Sequence, residues 1–260
     1  MTAGDLEIAT ATVVLLALAG FVAGWVDAVV GGGGLIQLPA LLLVPGISPV
    51  QALATNKLAG FLGTSVSAAT YYRRVRPGLR TAAPMAAAAL VGAAGGAGLA
   101  TLLPAAVFRP VILVALVLVA AYTVARPDVG RATALRWAGS RHLGAAVALG
   151  AAIGLYDGLL GPGTGTFLVI SLVAILGYSF LEASANAKIV NAATNLGALI
   201  VFTLYGAPLW KLGLVVGAAN IAGSYLGARM AVARGSAFVR VVFVVVVGAL
   251  ILRLAWDVLA

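Results

Sequence analysis

The sequence predicts an all-α polytopic membrane protein whose ten hydrophobic segments form two inverted five-segment repeats. Three observations point there. Hydrophobic residues make up 63% of the 260 and charged residues 9%, whereas a soluble domain is about half apolar. Between the charges lie apolar runs of about 20 residues, the length that crosses a hydrocarbon core about 30 Å thick. Finally, GWVDAVVGGGG from Gly24 returns half a chain later as GLYDGLLGPGTG from Gly154. The runs are continuous and rich in Ala, Leu and Gly, which argues against a barrel, whose strands alternate over about 10 residues.

The segments fall at 8–30, 33–45, 49–72, 80–103, 108–125, 141–160, 164–178, 181–205, 208–229 and 236–256. The first follows Asp5 and Glu7, has no basic leader and exceeds the core of a signal peptide, so it reads as a retained segment. The second and seventh are short. At about 1.5 Å per residue they reach only about 20–22 Å, so they begin or end inside the membrane, as spanning half-helices or as re-entrant hairpins. The third and eighth each open on a predicted capping box, Ser48 with Gln51 and Ser179 with Glu182. These elements divide the chain into a first repeat at 1–126, a basic cytoplasmic linker at 127–140 and a second repeat at 141–260.

Positive charge sets the orientation, because Lys and Arg collect in cytoplasmic loops. With ten crossings, one side holds Arg73, Arg74, Arg76, Arg80, Arg126, Arg131, Arg136, Arg141, Arg229, Arg234 and Arg240. The other side holds Arg109, Lys211 and Arg253. Re-entrant second and seventh segments would move the last basic cluster across and weaken this bias. Ten crossings with both termini outside are therefore expected, with Trp210 and Trp256 at the outer interface and Tyr71, Tyr72 and the following arginines as an inner anchor. The net charge of +9 then serves orientation and contact with anionic lipid, with no need for nucleic acid.

The repeat extends beyond the glycines. Gly24 pairs with Gly154, Asp27 with Asp157, Gly31 with Gly161 and Gly33 with Gly163; SPVQALATNK from Ser48 pairs with SFLEASANAK from Ser179. Gly92 and Gly96 pair with Gly223 and Gly227, a spacing that lets helix backbones approach closely. Two five-crossing halves must point in opposite directions, which is the plan of many secondary transporters with a midplane site on interrupted helices. These residues resemble the sulfite exporter TauE/SafE-like anion permeases over nearly the whole chain. The resemblance lies in the G-x-x-D-x-x-x-G-G-G-G run with its following ATNK, and in GLYDGLLGPGTG with its following Asn-Ala-Lys and Asn-rich helix. It implies carriage of sulfite, sulfonates or other organosulfur or carboxylate anions across a bacterial inner membrane.

A helix that begins after Gly31, Gly32, Gly33 and Gly34 has four N–H groups at its start without intrahelical partners, in a medium without water. Positive φ at glycine allows such a loop to form an anion nest at the positive end of the helix dipole. Gly161 and Gly163, with Thr164 as a hydroxyl donor, repeat the device; the bland alternative is close packing alone. Lys57 and Lys188 each lie nine residues past a capping serine, about 13 Å inward, so both are expected near the midplane. A charge there needs a partner: an anionic substrate, Asp27 or Asp157, or each in turn. Asn191 and Asn195 share a helix face with Lys188 and offer amide donors, where the first half has Gly60 and Thr64, so an asymmetric site is expected. Asn56 is a further candidate for the binding set, and Asn220 a weaker one; such amides also simply cross-link helices. Asp27 and Asp157 would repel an anion unless protonated, which points to proton coupling.

Enzymatic function is not expected. The chain has no Cys, one His (His142), and no nucleophile paired with a base, so neither a metal nor a cofactor is called for. The expected partners are a small anionic substrate and the bilayer, with a homo-oligomer left open. The reading is a proton-coupled, alternating-access carrier of small sulfur anions. Its rivals are a carrier of carboxylates or other anions, an uncoupled facilitator, a cation carrier contacting substrate through the aspartates, and a membrane scaffold.

Overall fold

The computed structural model describes residues 9–100, 130 and 132–259, without the side chains of residues 250 and 253–259. The expected segment at 108–125 lies outside these residues, as do Arg109, Arg126, Arg131 and the side chains of Arg253 and Trp256. Among the described residues all regular structure is helical. The helices are α1 (Thr10–Val30), α2 (Gly34–Leu42), α3 (Pro49–Val75), α4 (Leu79–Ala100), α5 (Gly139–Leu159), α6 (Thr164–Ser171), α7 (Phe180–Leu204) and α8 (Trp210–Leu259). Five of them, α1, α4, α5, α7 and α8, are long and apolar enough to cross a membrane.

The two glycine runs do precede short helices. α2 has nine residues, and α6 has eight, prolonged by the π-helical turn Leu172–Leu176. α3 has the length to span, at 27 residues, but buries Thr55, Asn56, Lys57, Thr64 and Ser67, so its polar face turns into the protein. The two last segments expected from the sequence are joined more directly than their spacing implied. Helix α8 runs on past Arg229 and Arg234 and leaves helical geometry only at Gly235, with φ 74° and ψ −170°.

Small residues hold the long helices together, as packing must where lipid tails are as apolar as the side chains. α1 lies along α8 with Gly20 against Val216 and Gly24 against Asn220, while Gly223 and Gly227 of α8 press on Phe21 and Trp25. α5 lies along α4 in the same manner, with Gly150 against Met85, Gly154 against Ala89, and Gly92 and Gly96 of α4 on Ala151 and Leu155. Methyl groups at Gly24, Gly92, Gly96, Gly154 or Gly223 would collide with the backbone opposite. In both pairs the numbering rises together along the two helices, so each pair runs parallel.

Two expectations, for Tyr71 and for Ser179, change. Tyr71 is fully buried, its hydroxyl donating to the Ala28 carbonyl at 3.0 Å, so of the tyrosine pair only the exposed Tyr72 is available as an interfacial anchor. Ser48 and Gln51 do form a capping box, but Ser179 forms only half of one. Its hydroxyl accepts from the Glu182 N–H at 3.3 Å, while its own N–H donates to the Thr133 hydroxyl at 2.9 Å and that hydroxyl donates to the Glu182 carboxylate. The linker supplies what Glu182 was expected to provide. It lies along the start of α7, with Ala134 N–H bonded to the Gly177 carbonyl at 2.8 Å and Phe180 N–H to that of Gly130 at 2.8 Å.

Candidate functional site

The two glycine runs meet. A methyl group on Gly31 or on Gly165 would collide with the backbone of the other, and the Thr166 N–H donates to the Gly31 carbonyl at 3.1 Å. The last carbonyls of α1, which no helix can satisfy internally, all find donors here. Asp27 receives the Gly31 N–H at 2.8 Å, Ala28 the Tyr71 hydroxyl, Val29 the Ser184 hydroxyl at 3.4 Å and Val30 the Thr166 hydroxyl at 3.3 Å. Gly31, Gly161 and Gly163 have positive φ, at 88°, 84° and 84°. Gly33 does not. Its φ of −58° is right-handed helical, and glycine is required there because a side chain would strike Ala23 and Asp27.

Both lysines are buried and both are paired, each with the aspartate of the other half of the chain. Lys57 Nζ lies 2.6 Å from Asp157 Oδ1, and Lys188 Nζ lies 2.9 Å from Asp27 Oδ2. Relative exposure of the lysine side chains is 1% and 0%, so neither charge is shared with water. The pairs differ in their surroundings. Lys188 also donates to the Asp27 carbonyl. Asp157 Oδ1 also accepts the Thr164 hydroxyl at 2.6 Å, while its Oδ2 is buried without a partner.

A cavity of about 30 Å³ opens between these elements. Asp27, Asp157 and Lys57 line it, together with Gly31, Gly33 and Gly34 from the first run and Gly161, Gly163 and Thr164 from the second. Asn56, Asn191 and Asn195 complete the expected set on its wall. Gly32 and Lys188 do not reach it. The face of α3 that carries Gly60 and Thr64 meets Asn195 of α7 directly: Asn195 Nδ2 lies 3.4 Å from Thr64 Oγ1, and its amide lies beside Gly60.

Two wall residues escaped the sequence reading, Gly165 at the end of the second glycine run and Gln37. Gln37 of α2 is buried, donates to Asn56 Oδ1 at 3.0 Å and accepts from Asn220 Nδ2 at 2.8 Å. Ser224 extends the chain, its hydroxyl donating to Asn220 Oδ1 at 3.2 Å. The signal was present, since Gln37 is the lone polar side chain of the segment at 33–45. A polar side chain alone in an apolar segment needs a hydrogen-bond partner, which marks it as a candidate.

The family model described as sulfite exporter TauE/SafE matches residues 16–254. The chain belongs to the TauE/SafE family. It is 38% identical over 248 residues to a protein of Sinorhizobium sp. named "Probable membrane transporter protein ORF9", covering 93% of this chain and 92% of that one. It is 34% identical to "Probable membrane transporter protein YfcA" of Escherichia coli K12, over 90% of this chain and 86% of that one. A "Probable membrane transporter protein" of Haemophilus influenzae is 34% identical over 94% of both chains. No solved structure matches the chain. Family and apolar helices together make this TauE/SafE protein a multi-pass membrane protein of a transporter family. The two lysines and two aspartates of these ion pairs cancel in formal charge, so an anion entering the cavity unaccompanied would leave the site net negative.

Proposed function

We propose that this chain is a proton-coupled secondary carrier of small sulfur-containing anions, sulfite or a compact sulfonate, working by alternating access across a bacterial inner membrane with both termini outside. One observation carries the reading: a buried lysine, Lys57, stands in a cavity beside two helix starts, and among the described residues its one ion-pair partner is a carboxylate that a proton would neutralise. Protonation of an aspartate frees a lysine, and a free ammonium beside helix N-termini attracts an oxyanion. One proton and one monovalent anion, hydrogensulfite or a sulfonate, then enter together and the site stays neutral. A volume near 30 Å³, in which a water needs about 10–15 Å³, favours a compact ligand.

The inverted repeat is part of this proposal. Gly20 against Val216 in one half matches Gly150 against Met85 in the other, and Gly223 against Phe21 matches Gly92 against Ala151. The same pairs of positions meet after the halves are exchanged, which is what a two-fold relation between them requires. α1 and α3 run parallel to α8, and the short connection at 76–78 sends α4, with α5 beside it, back the other way. Corresponding helices thus point oppositely, which supports a two-fold axis in the membrane plane.

A ligand that binds only the native protein raises its stability, by about 2.7 kcal/mol at 100 times its dissociation constant. Purified protein is therefore heated with sulfite, sulfate, thiosulfate, taurine, sulfoacetate and small carboxylates. A raised melting temperature with the sulfur oxyanions, larger at acidic pH, is expected. A response to carboxylates alone would reassign the substrate, and a response to cations would overturn anion carriage.

A further inference from the structure

We propose that the two lysine–aspartate pairs, equivalent in the sequence repeat, have different roles: Asp157 takes the coupling proton on Oδ2 and releases Lys57, whereas Asp27 stays ionised and holds Lys188 in every state. This assignment rests on the proton-coupled reading above and narrows it to one carboxylate. Asp157 carries both of its donors, Lys57 Nζ and the Thr164 hydroxyl, on Oδ1 and leaves Oδ2 buried and unpartnered. A buried acceptor without a donor is costly when charged, and adding a proton turns it into a neutral acid. Asp27 presents the opposite case. Lys188 binds both its carboxylate and its backbone carbonyl, so the lysine is tied to the end of α1 whether or not the carboxylate is charged. Lys57 stands on the cavity wall and Lys188 does not.

The charges around Asp157 are few. α6 carries no ionisable side chain and α4 only Arg80, in its first turn. α7 has Glu182, which accepts from Thr133, and Lys188, held by Asp27. α5 has Tyr156 next in sequence, its hydroxyl bonded to the Pro162 carbonyl at 2.6 Å, with Arg141 and His142 in its first turn. α3 contributes Lys57, and Asp27 of α1 lies on the same cavity wall. One proton from water added to Oδ2 removes one negative charge; Lys57 keeps its proton, and one monovalent anion restores the balance.

Acid-induced infrared difference spectra of the purified full-length protein, recorded with and without sulfite, test this through the carboxylic acid C=O band. The band is expected in the wild type, retained in Asp27→Asn and lost in Asp157→Asn, and sulfite should move its midpoint to higher pH. Thr164→Val removes a hydrogen bond that favours the charged carboxylate, so it should move the midpoint to higher pH. A band lost in Asp27→Asn but kept in Asp157→Asn, or kept in both, overturns the assignment. If Asp157→Asn does not fold, an unchanged midpoint in Thr164→Val overturns it alone. A band on Asp157 that ignores sulfite supports the proton seat and counts against sulfite as the ligand.

Discussion

In the proposed assignment Lys188 serves the fold, as the cation that neutralises the buried Asp27 carboxylate. Replacing it with Met would leave the Asp27 carboxylate buried without its cation, and breaking a buried pair from one side costs about 3–5 kcal/mol. The melting temperature in detergent should fall sharply, and the double variant Asp27→Asn with Lys188→Met should recover most of the loss because both charges leave together. A double variant no more stable than Lys188→Met would show that the ion pair is not what the fold needs. In the sequence, Asp27, Asp157, Lys57 and Lys188 were all visible as intramembrane charges. Their partners were not, because each lysine pairs with the aspartate of the other half of the chain and nothing in local spacing reports that exchange. Tyr71 misled for a similar reason: a tyrosine before arginines resembles an interfacial anchor, and only the packing of α1 supplies the carbonyl that its hydroxyl binds.

At the scale of elements, the short helices after the glycine runs were legible, since four glycines cannot continue an apolar helix without purpose. What the glycines do was legible only in part. Gly31 and Gly165 are needed for a backbone crossing, Gly33 for room beside Ala23, and Gly163 for its left-handed φ of 84° with only ordinary contacts around it. The last is the cleanest test of the loop before α6. Gly163→Ala should cost about 1–2 kcal/mol from the left-handed conformation and lower sulfite affinity, while the protein still inserts. Unchanged sulfite affinity by calorimetry would reduce this glycine to a packing element. The half-formed cap at Ser179 could not be foreseen, because Thr133 lies 46 residues away along the chain. The continuity of α8 through Arg229 was missed because charged residues read as a loop, although only Gly235 breaks the helix.

At the scale of the molecule, the spacing of Gly92 and Gly96 and of Gly223 and Gly227 was legible as close helix approach, but the packing of α1 on α8 and α5 on α4 came only with the structure. Orientation rests on the distribution of arginines. A single cysteine in the 73–80 loop should react with an impermeant reagent only from the cytoplasm, and one at the C-terminus only from outside. Labelling of both from one side would remove the inverted repeat. The account as a whole depends on Lys57 binding the anion that the proton admits. Lys57→Met keeps much of the stem but removes a charge-assisted hydrogen bond of about 1.5–3 kcal/mol, which lowers affinity roughly ten- to hundredfold. The most direct measurement is radiolabelled sulfite uptake into proteoliposomes driven by an imposed pH gradient. The account predicts gradient-dependent uptake by the wild type and little by a normally folded Lys57→Met protein; equal, gradient-driven uptake by the two would contradict it.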